Sequence, residues 1–122
     1  MATVTAISTK GGGGGKATLE YICRDDKTDN KKYVTALNCS LPTVYQEFKN
    51  TREMYGKTGG IKYYHFVQSH PSGYEIQPEL AHKIAVELAE KAFSGFECIV
   101  ATHIDAEHIH SHIVFNSVNA DS

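Results

Sequence analysis

Four of the seven histidines fall within the ten positions from His103 to His112. Residues two apart on a strand point to the same face, so His110 and His112 project side by side if His110–Val118 is extended. His103 closes the preceding apolar segment. If the two segments pair antiparallel across the short polar turn, its imidazole comes beside the other two. Three imidazoles converging on one sheet face form a facial metal site with open positions for water or substrate. His108 lies in the turn with the wrong parity, which reads as a surface group or an outer support. Asp105 is near enough to accept a proton from a ligand imidazole, or else to cap the turn. The bland reading is a solvated strand face. The density of histidines, the acidic Asp105 and Glu107 between them and the apolar Ile109, Ile113 and Phe115 around them favour the metal.

Neutral imidazoles add no negative charge. A cation held by three of them keeps its full +2 towards an incoming phosphate. Such a site suits polarising a phosphodiester and stabilising charge on its non-bridging oxygens. By donor type alone, the same three nitrogens also suit Zn2+, Ni2+ or copper. Because the ligand form is the neutral imidazole, cation affinity is expected to drop below about pH 6.

The elements that must position these groups are legible in outline. Thr3–Ser8 is short and β-branched, a first strand. Gly11–Gly15 is a flexible connector; it lacks the hydroxyl that a P-loop needs after Gly15-Lys16. Lys16–Arg24 has a helical apolar pattern in Ala17, Leu19, Ile22 and Cys23. Residues 25–32 read as a charged loop and Tyr33–Cys39 as an extended segment. A helix starts at Ser40-Leu41-Pro42 and runs to about Tyr55. Ile61–Ser69 is the strongest strand by composition, followed by a turn at Pro71-Ser72-Gly73. The clearest helix opens at Gln77-Pro78-Glu79, with Leu80, Ile84, Leu88 and Ala92 spaced by four and joined by Ala81, Ala85 and Phe93 on its apolar face, and stops at Gly95. Phe96–Thr102 and His110–Val118 are the last strands. The pattern predicts an α/β sandwich (an α+β arrangement) with helices on one face of a mostly antiparallel sheet.

The chain has 122 residues, 41% of them apolar and 21% charged. That is the size of one domain, residues 1–122, and excludes a fibrous or wholly disordered chain. A net charge of −2 counts against a generic nucleic-acid coat, but not against a site that meets phosphate through a cation. The start of the chain lacks a basic-then-apolar signal pattern and no run approaches the length of a membrane span, so a cytoplasmic protein is expected. Cys23, Cys39 and Cys98 form no CxxC pair and read as reduced thiols.

The series His103, Asp105, His110, His112 and Asn116 resembles the three-histidine motif of plasmid mobilisation relaxases, MobA/VirD2-like members of the HUH endonuclease superfamily. Leu19-Glu20-Tyr21-Ile22 resembles the nucleophile motif of the same family. Leu37-Asn38-Cys39 before a helix and Lys62-Tyr63-Tyr64-His65 leading a strand are weaker anchors, in the same order. The resemblance implies a central antiparallel sheet carrying the metal site, and a site- and strand-specific enzyme that nicks and transfers single-stranded DNA at a transfer origin. It implies Tyr21 as nucleophile, linked to the 5′ phosphate; among the other six tyrosines Tyr33 is the second choice. It implies His103, His110 and His112 as ligands of Mg2+ or Mn2+, and Asp105 as the group orienting a histidine. Asn116 would contact phosphate or brace the site. Single-stranded DNA is the implied partner, with accessory relaxosome proteins beside it.

Two features depart from the family pattern. Five identical glycines precede the tyrosine helix, and the sequence runs only a few residues past the histidine motif. The expectation is a catalytic core from the N-terminal part of a longer protein. A rolling-circle replication initiator or single-strand transposase shares the chemistry, but usually has two histidines with the tyrosine after them. A non-catalytic metal- or nucleic-acid-binding module would close its site with a fourth ligand, usually cysteine.

Overall fold

A computed structural model describes residues 3–9, 13–57, 59–70, 76–105 and 108–119. The expected turn at Pro71-Ser72-Gly73, together with Gly11, Gly12 and Glu107, lies outside the described residues. Five strands form one sheet: β1 (Thr3–Ile7), β2 (Val34–Leu37), β3 (Tyr63–Ser69), β4 (Phe96–His103) and β5 (His110–Asn119). Their order is β1-β3-β5-β4-β2, and every neighbouring pair is antiparallel. The two longest strands, β4 and β5, are therefore interior and adjacent, and the histidines sit on both.

The helices are α1 (Lys16–Ile22), α2 (Asp25–Thr28), α3 (Val44–Met54) and α4 (Pro78–Ala92), with a 3-10 turn at Leu41–Thr43 leading into α3. The antiparallel α+β sandwich is as the sequence predicts. The helices do not all lie on one face, however. Alternation along β4 and β5 divides their apolar residues between two cores. Ile99, Ala101 and Val114 pack with Leu19, Ile22 and Cys23 of the α1 region and with Val44 and Phe48 of α3. Cys98, Val100, Ile113 and Phe115 pack with Ala85 and Ala89 of α4. Interior strands that are apolar on both sides need cover on both sides, and a helix layer on each supplies it.

Helix α4 buries the alanine side of its expected apolar face. Its buried residues are Ala81, Ala85 and Ala89, whereas Leu80 is exposed. Leu88 packs at the edge of this core, and aromatic rings fill the space beside the alanines: Phe93 stacks on Phe115 with centroids 4.0 Å apart, and Phe66 lies against both. Beside such rings, small residues let the helix approach the sheet without overpacking.

The charged loop after α1 contains the single helical turn α2. Asp29, Asn30 and Lys31 follow it with φ of 53°, 54° and 68°. Thr28 is fully buried and holds this bend: its hydroxyl donates to Arg24 O and accepts from Lys31 N. Among the described residues no helix is long and apolar enough to cross a membrane.

Candidate active site

In the register of β4 and β5, His103 lies opposite His110 and Ala101 opposite His112. All three imidazoles project from the face that α1 covers. Ring centroids are 4.3 Å apart for His103 and His112 and 5.1 Å for each of the other two pairs. One ligand nitrogen from each falls within 4.8 Å of the others, a group that could hold a metal ion.

Each ring has one nitrogen engaged and so presents the other. His103 Nε2 bonds the Ile22 carbonyl oxygen at 2.9 Å. His110 Nδ1 bonds the His108 carbonyl oxygen at 3.1 Å. His112 Nδ1 meets His65 Nε2 at 2.7 Å. Such outer bonds fix the tautomer and orientation of a ligand imidazole, so the donor set fits a divalent cation. Electrostatics agree. Burial, reinforced by His103, His65, His110 and Lys27, pushes His112 down to about 3. Burial also lowers His103 and His65 below the usual imidazole range. Neutral rings are the form that binds metal.

Helix α1 brings Tyr21 to this cluster. Leu19, Ile22 and Cys23 are buried against the sheet, and Tyr21, on the helix flank, stays 49% exposed. Its ring meets His103 edge-on with centroids 6.1 Å apart. The start of α1 is set by Tyr63 beneath it, whose hydroxyl pairs with Thr18 Oγ1 at 2.8 Å. Gly15 precedes the helix at φ 99°, and a Cβ there would lie 3.0 Å from the Tyr63 ring. Both the backbone angle and the close ring require glycine.

Residues 21–122 match the family described as Relaxase: MobA/VirD2-like, nuclease domain. The chain belongs to that family. It is 38% identical over 122 residues to Protein rlx of Staphylococcus aureus, covering 100% of this chain and 34% of that protein. A second Protein rlx from the same species is 32% identical over 122 residues, covering 100% of this chain and 35% of its own length. Group II intron-interrupted relaxase LtrB of Lactococcus lactis subsp. cremoris is 37% identical over 127 residues, covering 81% of this chain and 22% of that protein. The chain thus spans about a third or less of the length of these relatives.

Within this relaxase nuclease domain the remaining sequence-derived residues are placed as follows. Asp105 does not hydrogen-bond the three histidines, whose engaged nitrogens find Ile22, His108 and His65 instead. Its Oδ2 accepts from Lys27 Nζ at 2.9 Å, and it reaches His103 only through space. The side chain of His108 is exposed, and the residue contributes its carbonyl oxygen. Asn116 is fully buried. Its Nδ2 donates to Phe48 O and Glu97 Oε1, and its Oδ1 accepts from Arg52 and Ser117 N. With both amide hydrogens used inside the protein, it braces β5 against α3 and β4.

Tyr33 is buried, donates to Glu79 Oε1 of α4 at 2.9 Å and packs on His82. It belongs to the α4 side, away from the three histidines. Tyr63 faces inward and Tyr64 stacks on Phe115, as alternation predicts.

Two residues of the site were given no role from sequence, although His65 lies in the Lys62-Tyr63-Tyr64-His65 anchor. His65 stands on β3 opposite Val114, between His112 and Asn116 along the neighbouring strand. The signal was its strand parity, but only the β3–β5 register shows that it reaches His112. Lys27 lies within a charged segment and has no spacing that distinguishes it from its neighbours.

Proposed function

We propose that this relaxase nuclease domain nicks single-stranded DNA by attack of the Tyr21 hydroxyl oxygen on a phosphodiester. Tyr21 is the nucleophile, and His103, His110 and His112 are the ligands of a divalent cation. The observation that carries the reading is the seating of an exposed tyrosine edge-on to His103, within a cluster of three imidazoles whose other nitrogens are already engaged.

In the step, a bond forms between Tyr21 Oη and phosphorus while the bond from phosphorus to the 3′ oxygen breaks. The phenolic proton is released to solvent, and the departing 3′ oxygen takes one up to become a hydroxyl. The 5′ phosphate remains on the tyrosine, so the bond energy is conserved and the strand can be transferred to another 3′ hydroxyl. When bound, the cation supplies positive charge for a non-bridging oxygen, where charge builds in the transition state. Magnesium or manganese fits the phosphate chemistry. The role of the chain is to keep the rings neutral, hold them in register and present Tyr21 from a helix seated on the sheet.

The three cysteines do not compete as a closed structural zinc site. Among the described residues the one group with metal-binding geometry is the histidine trio. Burial pushes the thiols of Cys23 and Cys39 up to about 11 and raises Cys98 as well, against thiolate formation.

The test uses end-labelled single-stranded tiles of both strands of the DNA flanking the gene, incubated with the protein and Mn2+. One tile is expected to be cut at one position on one strand, with cutting lost in EDTA and in His112→Ala. Cutting that survives both would contradict the reading.

A further inference from the structure

Lys27 is the cation that this fold delivers to the nucleophile. Its ammonium lies 5.1 Å from the centroid of the Tyr21 ring and donates to Asp105 across 78 positions of sequence. The neighbouring cations behave differently. Arg24 pairs with Asp26 and Lys31 with Asp25, within their own loop, with side chains about half exposed. The Lys27 side chain is only 16% exposed. Its backbone is fastened as well: the carbonyl oxygen of Lys27 accepts from Ile104 N at 2.8 Å, one residue beyond His103. Buried Thr28 pins the next residue. The single turn α2 is thereby stapled to the end of β4, and the side chain that it presents lies over Tyr21.

The ring of Tyr21 thus has His103 at its edge and an ammonium over it. The hydrogen bond to Asp105 holds Lys27 in its charged form. A phosphodiester under attack by that hydroxyl must bring its anionic oxygens to the same place. A lysine is a compact point charge with three rotatable donors, suited to following an oxygen as the phosphorus changes geometry. The chain carries a net charge of −2, so a local cation here has no background of positive charge to replace it. Asp105, in the relaxase motif, then acts on the lysine.

We propose that Lys27 is a catalytic residue that contacts a non-bridging oxygen of the scissile phosphate, with Asp105 holding it in position. This rests on the assignment of Tyr21 as nucleophile.

The test compares the parent, Lys27→Met, Lys27→Arg and Asp105→Asn on the tile that the parent nicks. Adduct formation is expected to slow roughly 100- to 1,000-fold in Lys27→Met, with Lys27→Arg recovering part of it. Mn2+ should still bind and thermal unfolding should stay close to the parental value, because Lys27 ligates nothing; loss of a nearby positive charge should not weaken cation binding. The readout that a structural clamp would not move is the salt dependence of binding to the single-stranded tile in EDTA. Loss of one phosphate contact lowers the slope of log K against log salt by about 0.7. Asp105→Asn leaves the cation in place, so it should keep the parental slope and slow the adduct less. Equal slowing in Lys27→Met and Asp105→Asn with an unchanged slope would make Lys27 a clamp and overturn the proposal. A parent that neither nicks nor binds any tile would overturn the reading of Tyr21, and this proposal with it.

Discussion

His103 Nε2 and the carbonyl oxygen of Ile22 lie 2.9 Å apart. Ile22 is the last residue of α1, where a helix leaves carbonyls without partners inside the helix. One of those orphan acceptors is satisfied by a ligand of the candidate metal site. The helix that carries Tyr21 and the strand that carries His103 are therefore joined one residue away from Tyr21.

This bond predicts different consequences for different ligands. His103→Ala removes both a ligand and the anchor of α1, so backbone amide exchange at residues 21–24 should rise in metal-free protein. His110→Ala removes only a ligand and should leave exchange there unchanged. The comparison is made by hydrogen exchange with peptide resolution. Equal protection in the two variants would mean that the bond does not hold the helix.

Metal affinity should follow the two shells of contacts. His112→Ala removes a ligand and should reduce Mn2+ binding more than His65→Ala, which removes only the partner of His112 Nδ1. Loss of such an outer partner costs roughly 10- to 100-fold in affinity. His65→Gln should recover part of it, since the amide oxygen can accept from Nδ1–H. Calorimetric titration with Mn2+ gives the order. Parental affinity in His65→Ala would show that the His65–His112 contact has no part in the site.

Acid should destabilise the metal-free protein before its carboxylates titrate. His112, His103, His65 and His82 all have folded pKa values lowered chiefly by burial, His112 to about 3. His82 is also held by both ring nitrogens, at 2.7 Å from Thr35 Oγ1 and 2.8 Å from Thr102 Oγ1. In the unfolded chain these rings titrate near 6.5. Below that pH the unfolded state takes up protons that the folded state refuses. Stability is therefore full above about 6.5 and is lost as pH falls towards the folded values. Urea midpoints in EDTA should already drop between about pH 7 and about pH 5. A flat midpoint over that interval would contradict the neutral, buried rings. For the same reason the fall in cation affinity expected below about pH 6 should not arise at His112, which stays neutral further into acid.

Asn116→Ala should destabilise by roughly 3 kcal/mol, because it leaves buried Arg52, Glu97 and the Phe48 carbonyl each short of a partner. Urea midpoints measure it. A loss below about 0.5 kcal/mol would show that water or a neighbour replaces the amide.

Much of this was legible because short-range periodicity carries it. Alternation at His110 and His112 fixes their common face, and a short turn nearly dictates that β4 and β5 pair with His103 opposite His110. The same alternation predicts that Tyr63 and Tyr64 face opposite ways; the structure buries Tyr63 and leaves Tyr64 39% exposed. What escaped depends on packing or on distant register. Ala81 and Ala85 were legible in the apolar face of α4, but that they and Ala89 are buried while Leu80 is exposed depends on how Phe66, Phe93 and Phe115 fill the space next to them. His65 meets His112 only through the pairing of β3 with β5, and no spacing within β3 announces it. Lys27 and Asp105 are 78 positions apart, and a charged loop reads as solvated until its bend at Asp29–Lys31 is seen. The division of helices between two faces follows from the interior position of β4 and β5, which sequence order alone does not reveal.

The central claim is that Tyr21 is the attacking group, and the adduct itself tests it. The protein is incubated with the nicked single-stranded tile and Mn2+, resolved under denaturing conditions, digested and mapped by mass spectrometry. The account predicts a nucleotide joined through its 5′ phosphate to the peptide containing Tyr21, and no covalent band from Tyr21→Phe, which keeps the ring against His103 and lacks only the hydroxyl. A covalent band of parental intensity in Tyr21→Phe, with the nucleotide on the peptide containing Tyr33 or any other tyrosine, would contradict it.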